Sequence, residues 1–207
     1  MIAILDFGLG NLKSIQNGFR YLGHEAIITH DELSIKDADG IILPGVGAFK
    51  DGMDRLRKAN FVPLIKELLS HGKPILGICL GLQLLFDESE EFGIHKGLGF
   101  LKGRVKSFTG PFKIPHMGWN TLHIKREIPL LNGIREGDFF YFVHSFYAES
   151  EDEGTVAGET EYGIAFPSVV QQGNLMATQF HPEKSSDAGL RILNNFAKLT
   201  INARRRT

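Results

Sequence analysis

The feature that most constrains the fold of this 207-residue chain is its regular alternation of short apolar runs with helix-period segments. Ile2-Ala3-Ile4-Leu5 reads as a buried strand and Gly8 to Gly10 as the turn after it. Leu12, Ile15, Phe19 and Leu22 then share one helical face, and Gly23 stands where such a helix stops. Residues 25–29, 40–43 and 74–78 repeat the strand signal. Helical patterns fall at Phe49, Met53 and Leu56, at Val62, Ile65, Leu68 and Leu69, and over residues 80–86. Strands that are apolar on both sides and alternate with helices form a parallel sheet covered on both faces.

The second half carries more strand signals, over residues 100–105, 119–124, 139–143 and 163–166. Residues 169–172 and 175–180 flank Gly173-Asn174, which reads as a hairpin turn. A last helix carries Leu190, Leu193, Phe196, Ala197 and Leu199. The expected fold is therefore α/β, a three-layer sandwich whose mostly parallel sheet gains an antiparallel extension in the second half. Residues 1–199 read as one domain and residues 200–207, with Arg204-Arg205-Arg206, as a basic tail.

Charge narrows the function classes. Lys plus Arg total 23 against 24 Asp plus Glu, a net charge of −1, which gives no overall field for nucleic acid or an anionic membrane. The longest apolar stretch, over residues 75–86, is interrupted by Gly77, Gly81 and Gln83 and is too short to span a bilayer. With Cys79 as its one cysteine, the chain can form neither an internal disulfide nor a cysteine-based zinc site. These features fit a reducing, cytoplasmic setting.

Gly77-Ile78-Cys79-Leu80-Gly81, between a strand and a helix, has the form of a nucleophile elbow with Cys in place of Ser. Small flanking residues let the backbone turn sharply and push the sulfur out of the sheet. The N-terminal end of the following helix favours the thiolate. The competing reading is a buried cysteine acting as a small hydrophobe. A thiolate nucleophile needs a proton shuttle and an orienting group. His181-Pro182-Glu183 offers both directly after a strand, and strand ends are where α/β sheets place their sites. His24, His30, His71, His95 and His123 carry no comparable pattern. Pro44-Gly45-Val46-Gly47 is either an ordinary glycine loop or an anion-binding turn whose N–H groups, Val46 and Gly47 among them, converge with that of Leu80 on a developing oxyanion. Gly8-Leu9-Gly10 lacks the third glycine of a dinucleotide fingerprint, since Lys13 stands there, and no phosphate-loop lysine follows any glycine turn.

Gly77-Ile-Cys79-Leu-Gly81-Leu-Gln83 with Phe180-His181-Pro-Glu183 resembles the class I (triad) glutamine amidotransferases, over residues 1–199. Five further blocks resemble, within that family, the glutaminase subunits of imidazole glycerol phosphate synthase: Asp6-Phe-Gly-Leu-Gly-Asn11, Pro44-Gly-Val-Gly47-Ala-Phe49, Pro115-His-Met-Gly-Trp-Asn120, Phe142-Val-His-Ser-Phe146 and Thr178-Gln-Phe-His-Pro-Glu-Lys184. The resemblance implies a flavodoxin-like sandwich in which Cys79 attacks the carboxamide of glutamine, His181 moves the proton and Glu183 holds the imidazole. It implies that Gly47, Gln83, Glu91, Ser145 and Phe146 hold glutamine. Asn11, Pro115, Trp119, Tyr141 and Lys184 match a face that meets a cyclase subunit with a (β/α)8 barrel. No cofactor or metal is called for. Phe7 and Phe146 stand where the family often has Tyr, so any hydrogen bond from those hydroxyls is lost here. Two other readings fit parts of the pattern: a cysteine peptidase or deglycase, which predicts neither Gln83 nor the His-Pro-Glu order, and a silent α/β module with an unreactive Cys79.

Overall fold

A computed structural model describes residues 1–204. Its first half runs β1 (Ile2–Leu5), α1 (Leu12–Tyr21), β2 (Ala26–Thr29), α2 (Glu32–Asp37), β3 (Gly40–Leu43), α3 (Phe49–Lys58), α4 (Phe61–Ser70), β4 (Ile75–Ile78) and α5 (Leu80–Leu84). The second half is strand-rich: β5 (Phe86–Ser89), β6 (His95–Lys96), β7 (Leu101–Ser107), β8 (His116–Thr121), β9 (His123–Ile124), β10 (Phe139–His144), β11 (Phe146–Ser150), β12 (Val156–Glu161), β13 (Ala165–Gln172) and β14 (Leu175–Thr178), closed by α6 (Ser186–Arg204).

The central sheet has the order β2-β1-β3-β4-β14-β13-β12-β9. Strands β2 to β14 in that order are parallel and β14 to β9 antiparallel, as expected. Successive side chains of a strand point to opposite faces, so each parallel strand feeds two cores. Ala3, Leu5, Ile41 and Leu43 pack with α3, α4 and α5 on one face. Ile2, Ile4, Ile42 and Leu76 pack with α1 and α6 on the other, through Ile15, Phe19, Leu193 and Phe196. This is the three-layer sandwich. Two smaller sheets flank it, β10-β8 and β11-β7-β5-β6.

The local differences from expectation have identifiable causes. The helix over residues 80–86 stops at Leu84, because Phe86 begins a strand that pairs with Leu101 on β7; an apolar run buried on all sides carries no period to separate helix from strand. Residues 119–124 split at Leu122, where the chain leaves β10 for β12. The two strands expected over residues 163–166 and 169–172 are one, β13, which starts at Ala165; its Pro167 lies opposite the irregular stretch of β12 around Gly158, a place where a strand tolerates proline. The segment from residue 200, expected as a tail, continues α6 to Arg204, and Thr200 is buried. Arg205 and Arg206 lie outside the described residues.

Candidate active site

Cys79 follows β4 and caps α5 with φ 55° and ψ −110°, a left-handed conformation that a non-glycine residue holds only under constraint. The constraint is the close packing of the two glycines. A Cβ on Gly81 would lie 2.0 Å from the Leu43 carbonyl oxygen, and one on Gly77 would lie 2.9 Å from the Gly81 oxygen. Only hydrogen at both positions lets the elbow sit between β3 and β14. Helix α5 has five residues, so its dipole favours a thiolate less than a full-length helix would.

His181 lies just beyond β14, the strand beside β4, and opens the turn 182–184. Its Nδ1 is 2.8 Å from Oε1 of Glu183, whose side chain is fully buried. A carboxylate only accepts, so Nδ1 carries the proton and Nε2 is left for chemistry. Nε2 has no other hydrogen-bond partner among the described residues and faces the Cys79 sulfur, the foremost of the groups that favour its protonation. Burial disfavours the imidazolium, but the Cys79 sulfur and the Glu183 carboxylate outweigh it, raising His181 from 6.5 to about 10. His181 is thus suited to hold a second proton in this pocket. The turn is bolted to β10: His181 N–H donates to the Tyr141 carbonyl, Tyr141 N–H donates to Ser185 Oγ, and that hydroxyl donates to the His181 carbonyl.

A cavity of about 410 Å³ opens over the sulfur, lined by Val46, Gly47, Leu80, Gln83, Glu91, Ser145, Phe146 and His181 among others. That is enough for one amino acid. The structure thus gathers every residue expected to hold glutamine or an oxyanion. Glu183 stands behind His181 rather than on the wall. A Cβ on Gly45 would lie 2.8 Å from Leu80 Cβ, so the Pro44-Gly47 turn abuts the start of α5; Gly47 has φ +97° with open space where a Cβ would go. The Glu91 carboxylate accepts from Phe49 N–H at the start of α3. The Phe146 carbonyl accepts from Gln83 Nε2 at 2.9 Å and from His144 Nδ1 at 2.7 Å. Phe7 is buried in the apolar core, where a phenyl ring suffices.

Of the residues expected at a partner face, Trp119 and Tyr141 are cross-strand neighbours on β8 and β10 with ring centroids 6.1 Å apart. Lys184 Nζ lies 5.8 Å from the centroid of the Tyr141 ring. Asn11 opens α1, which packs against the turn 182–184. Pro115 instead lines the cavity, at the entry to β8. The outward face of the β8–β10 pair also exposes Met117 and Phe139, which the expectation omitted although they sit two residues from Trp119 and Tyr141.

Three buried side chains at the site were not anticipated. Gln179 has its Nε2 3.7 Å from Cys79 Sγ. His116 and His144 form a chain with Asn120: Asn120 Nδ2 donates to His116 Nε2, His116 Nδ1 to His144 Nε2, and His144 Nδ1 to the Phe146 carbonyl. All three stand inside the motif blocks around Pro115, Phe142 and Thr178, so block membership was the available signal.

Comparison with known proteins bears on the family and the fold. Residues 3–199 match the family model "Glutamine amidotransferase class-I". Proteins named imidazole glycerol phosphate synthase subunit HisH are similar over nearly the full length. The one from Syntrophotalea carbinolica is 50% identical over 206 residues, covering 96% of this chain and 100% of that protein. The one from Sulfurimonas denitrificans is 51% identical over 203 residues, covering 96% and 98%. Among solved structures, PurLQS from Thermotoga maritima superposes with a TM-score of 0.76 at 20% identity, covering 96% of this chain and 97% of that one. A crystal structure of a glutamine amidotransferase gives 0.75 at 20% identity, covering 95% and 98%.

Proposed function

The chain belongs to the class I glutamine amidotransferases, and from that premise we propose that it is the glutaminase subunit of imidazole glycerol phosphate synthase, in histidine biosynthesis, with Cys79, His181 and Glu183 as its triad. The observation that carries the reading is the meeting of Cys79 and His181, at the ends of adjacent parallel strands, beneath a cavity sized for glutamine.

Cys79 Sγ attacks the carboxamide carbon, and its proton passes to His181 Nε2. The oxyanion is held by the N–H groups of Val46 or Gly47 and of Leu80. His181 returns the proton to the leaving nitrogen, which departs as ammonia and leaves a glutamyl thioester. Water, deprotonated by His181, attacks the thioester and releases glutamate. Glu183 keeps Nδ1 protonated and stabilises the imidazolium. Glu91 carries a charge suited to the α-amino group of glutamine, while Gln83 and the Ser145-Phe146 backbone present polar groups around it.

Ammonia is mostly protonated in water near neutral pH and is then no nucleophile. It therefore has to pass directly to a synthase. The partner is a cyclase with a (β/α)8 barrel, forming a heterodimer with lyase activity through the face of Asn11, Pro115, Trp119, Tyr141 and Lys184. The cyclase uses the ammonia to make imidazole glycerol phosphate and aminoimidazole carboxamide ribotide. A cytoplasmic setting suits an enzyme whose only thiol must stay reduced. Among the described residues no helix is long and apolar enough to cross a membrane.

The test is Cys79→Ala in complex with the cyclase. Glutamine-dependent synthesis should vanish while ammonium salts at high pH still support it. Glutamate release near the wild-type rate would remove Cys79 as nucleophile, and failure of ammonia to rescue would remove the cyclase partnership.

A further inference from the structure

The mechanism above leaves unused one buried polar side chain that touches the nucleophile. Gln179 is fully buried, and a buried amide needs partners for its N–H and C=O groups. Its orientation follows from its neighbours. The Phe146 carbonyl can only accept, so the group of Gln83 facing it at 2.9 Å is the NH2. The same Gln83 nitrogen lies 3.1 Å from the Gln179 side-chain oxygen. Gln179 must therefore turn its own NH2 the other way, to Cys79 Sγ at 3.7 Å. A donor chain thus runs from Gln179 to the sulfur, with Gln83 and the Phe146 carbonyl fixing its direction. The strand register sets the approach: Ala177 pairs with Gly77 and Thr178 with Ile78, so residue 179 leaves β14 level with residue 79.

We propose that Gln179 is a further catalytic residue, whose side-chain amide donates a hydrogen bond to Cys79 Sγ that stabilises the thiolate and holds the sulfur toward the cavity. The proposal rests on Cys79 being the nucleophile of the glutaminase. A neutral donor is suited to this position. It strengthens when the sulfur becomes charged, it competes for no proton at working pH, and unlike a lysine it forms no ion pair that would lower the sulfur's nucleophilicity. Gln83 gains a second task, since the amide that borders the substrate cavity also orients the one that holds the nucleophile.

Cys79 is the only cysteine, so alkylation by iodoacetamide followed by mass reports this thiol alone. The rate is measured from pH 5 to 10 on the full chain and on Gln179→Leu and Gln179→Glu, each checked for folding by circular dichroism. Hydrogen bonds to charged groups are worth enough to move a titration by about one pH unit or more. Gln179→Leu should shift the alkylation midpoint up by about that much, lowering the rate on the acid side of both midpoints roughly ten-fold while the high-pH plateau is kept. Gln179→Glu, nearly isosteric with the parent, should shift it at least as far, because a carboxylate replaces a donor beside a thiolate; it carries the test should the leucine variant not fold. In complex with the cyclase, either variant should lose kcat for glutamine with little change in KM. A folded variant whose profile overlays the wild type overturns the role of Gln179. That outcome is distinct from failure of the glutaminase reading, which would show as no glutamate from the wild-type complex, whatever the alkylation profiles.

Discussion

Acid should destabilise this protein through two histidines, and removing one should halve the effect over a defined pH window. His116 and His144 are 3% and 7% exposed. In the chain from Asn120 to the Phe146 carbonyl each ring accepts on one nitrogen and donates on the other, so a further proton breaks a hydrogen bond. Burial lowers His116 from 6.5 to about 4 and, with the nearby positive rings, His144 to about 3. Unfolded histidines take up protons near pH 6.5. Below that pH the unfolded state binds more protons than the folded state, so stability falls as pH falls and is fully present only above 6.5. Near pH 5.5 an unfolded histidine is about nine-tenths protonated, which gives about 1.2 kcal/mol per pH unit for each ring and about 2.5 for both. From pH 7 to 4.5 the loss is roughly 5 kcal/mol, comparable to the whole stability of a marginal domain. His181 is raised rather than lowered; its folded form keeps the proton through this range while the unfolded form gains it around pH 6.5, so it opposes the slope weakly near pH 6.5 and adds almost none at pH 5.5 and below. Urea unfolding followed by far-ultraviolet circular dichroism at pH 7.0, 6.0, 5.5 and 5.0 measures the slope directly. His116→Gln, which keeps a donor and an acceptor but does not titrate, should reduce it to about half whatever its own stability at pH 7. Equal slopes in the two proteins, or a flat wild-type profile over this window, would refute the argument.

Other changes probe the elbow, the triad and the partner face. Gly81→Ala drives a Cβ to 2.0 Å from the Leu43 carbonyl oxygen and should cost about 3 kcal/mol or more by urea unfolding, together with most of the glutaminase activity. Glu183→Gln should lower glutamine turnover roughly a hundred-fold less than His181→Ala; a Glu183 variant that is the more damaged of the two would contradict their roles. Glutamine hydrolysis by the free chain should be slow and strongly stimulated by the ligand-bound cyclase, because one oxyanion donor withheld by the glycine turn costs about 10²- to 10³-fold. Gly47→Ala, free of clash but strained at φ +97°, should alter the basal rate or the stimulation, whereas equal rates with and without cyclase and ligand would reject the switch. Trp119→Ala removes a ring that is 51% exposed; it should leave unfolding of the free chain unchanged but weaken cyclase binding about 30-fold, the loss typical of an interface anchor.

Much of this was written in local spacing. The strands β1, β3 and β4 carry no polar side chain because both their faces are covered, and α1 and α3 show their buried stripes at helical period. The elbow and the His-Pro-Glu turn are each contained within five residues, and the chemistry of those residue types is a property of the short segment. Strands β11 and β12 left a weaker mark. Phe-Tyr-Ala-Glu-Ser and Val-Ala-Gly-Glu-Thr-Glu lack a clean alternation, because β11 lies at the edge of its sheet and β12 carries an irregular register. What only the tertiary structure decided is which distant groups meet. Gln179 reaches Cys79 across 100 residues of sequence, and His116 finds His144 through the register of β8 against β10. Gly81 has to be glycine because of a carbonyl on β3. Such contacts depend on strand order and register, which arise when the two cores close together on the same sheet, and no segment short enough to show a period contains them.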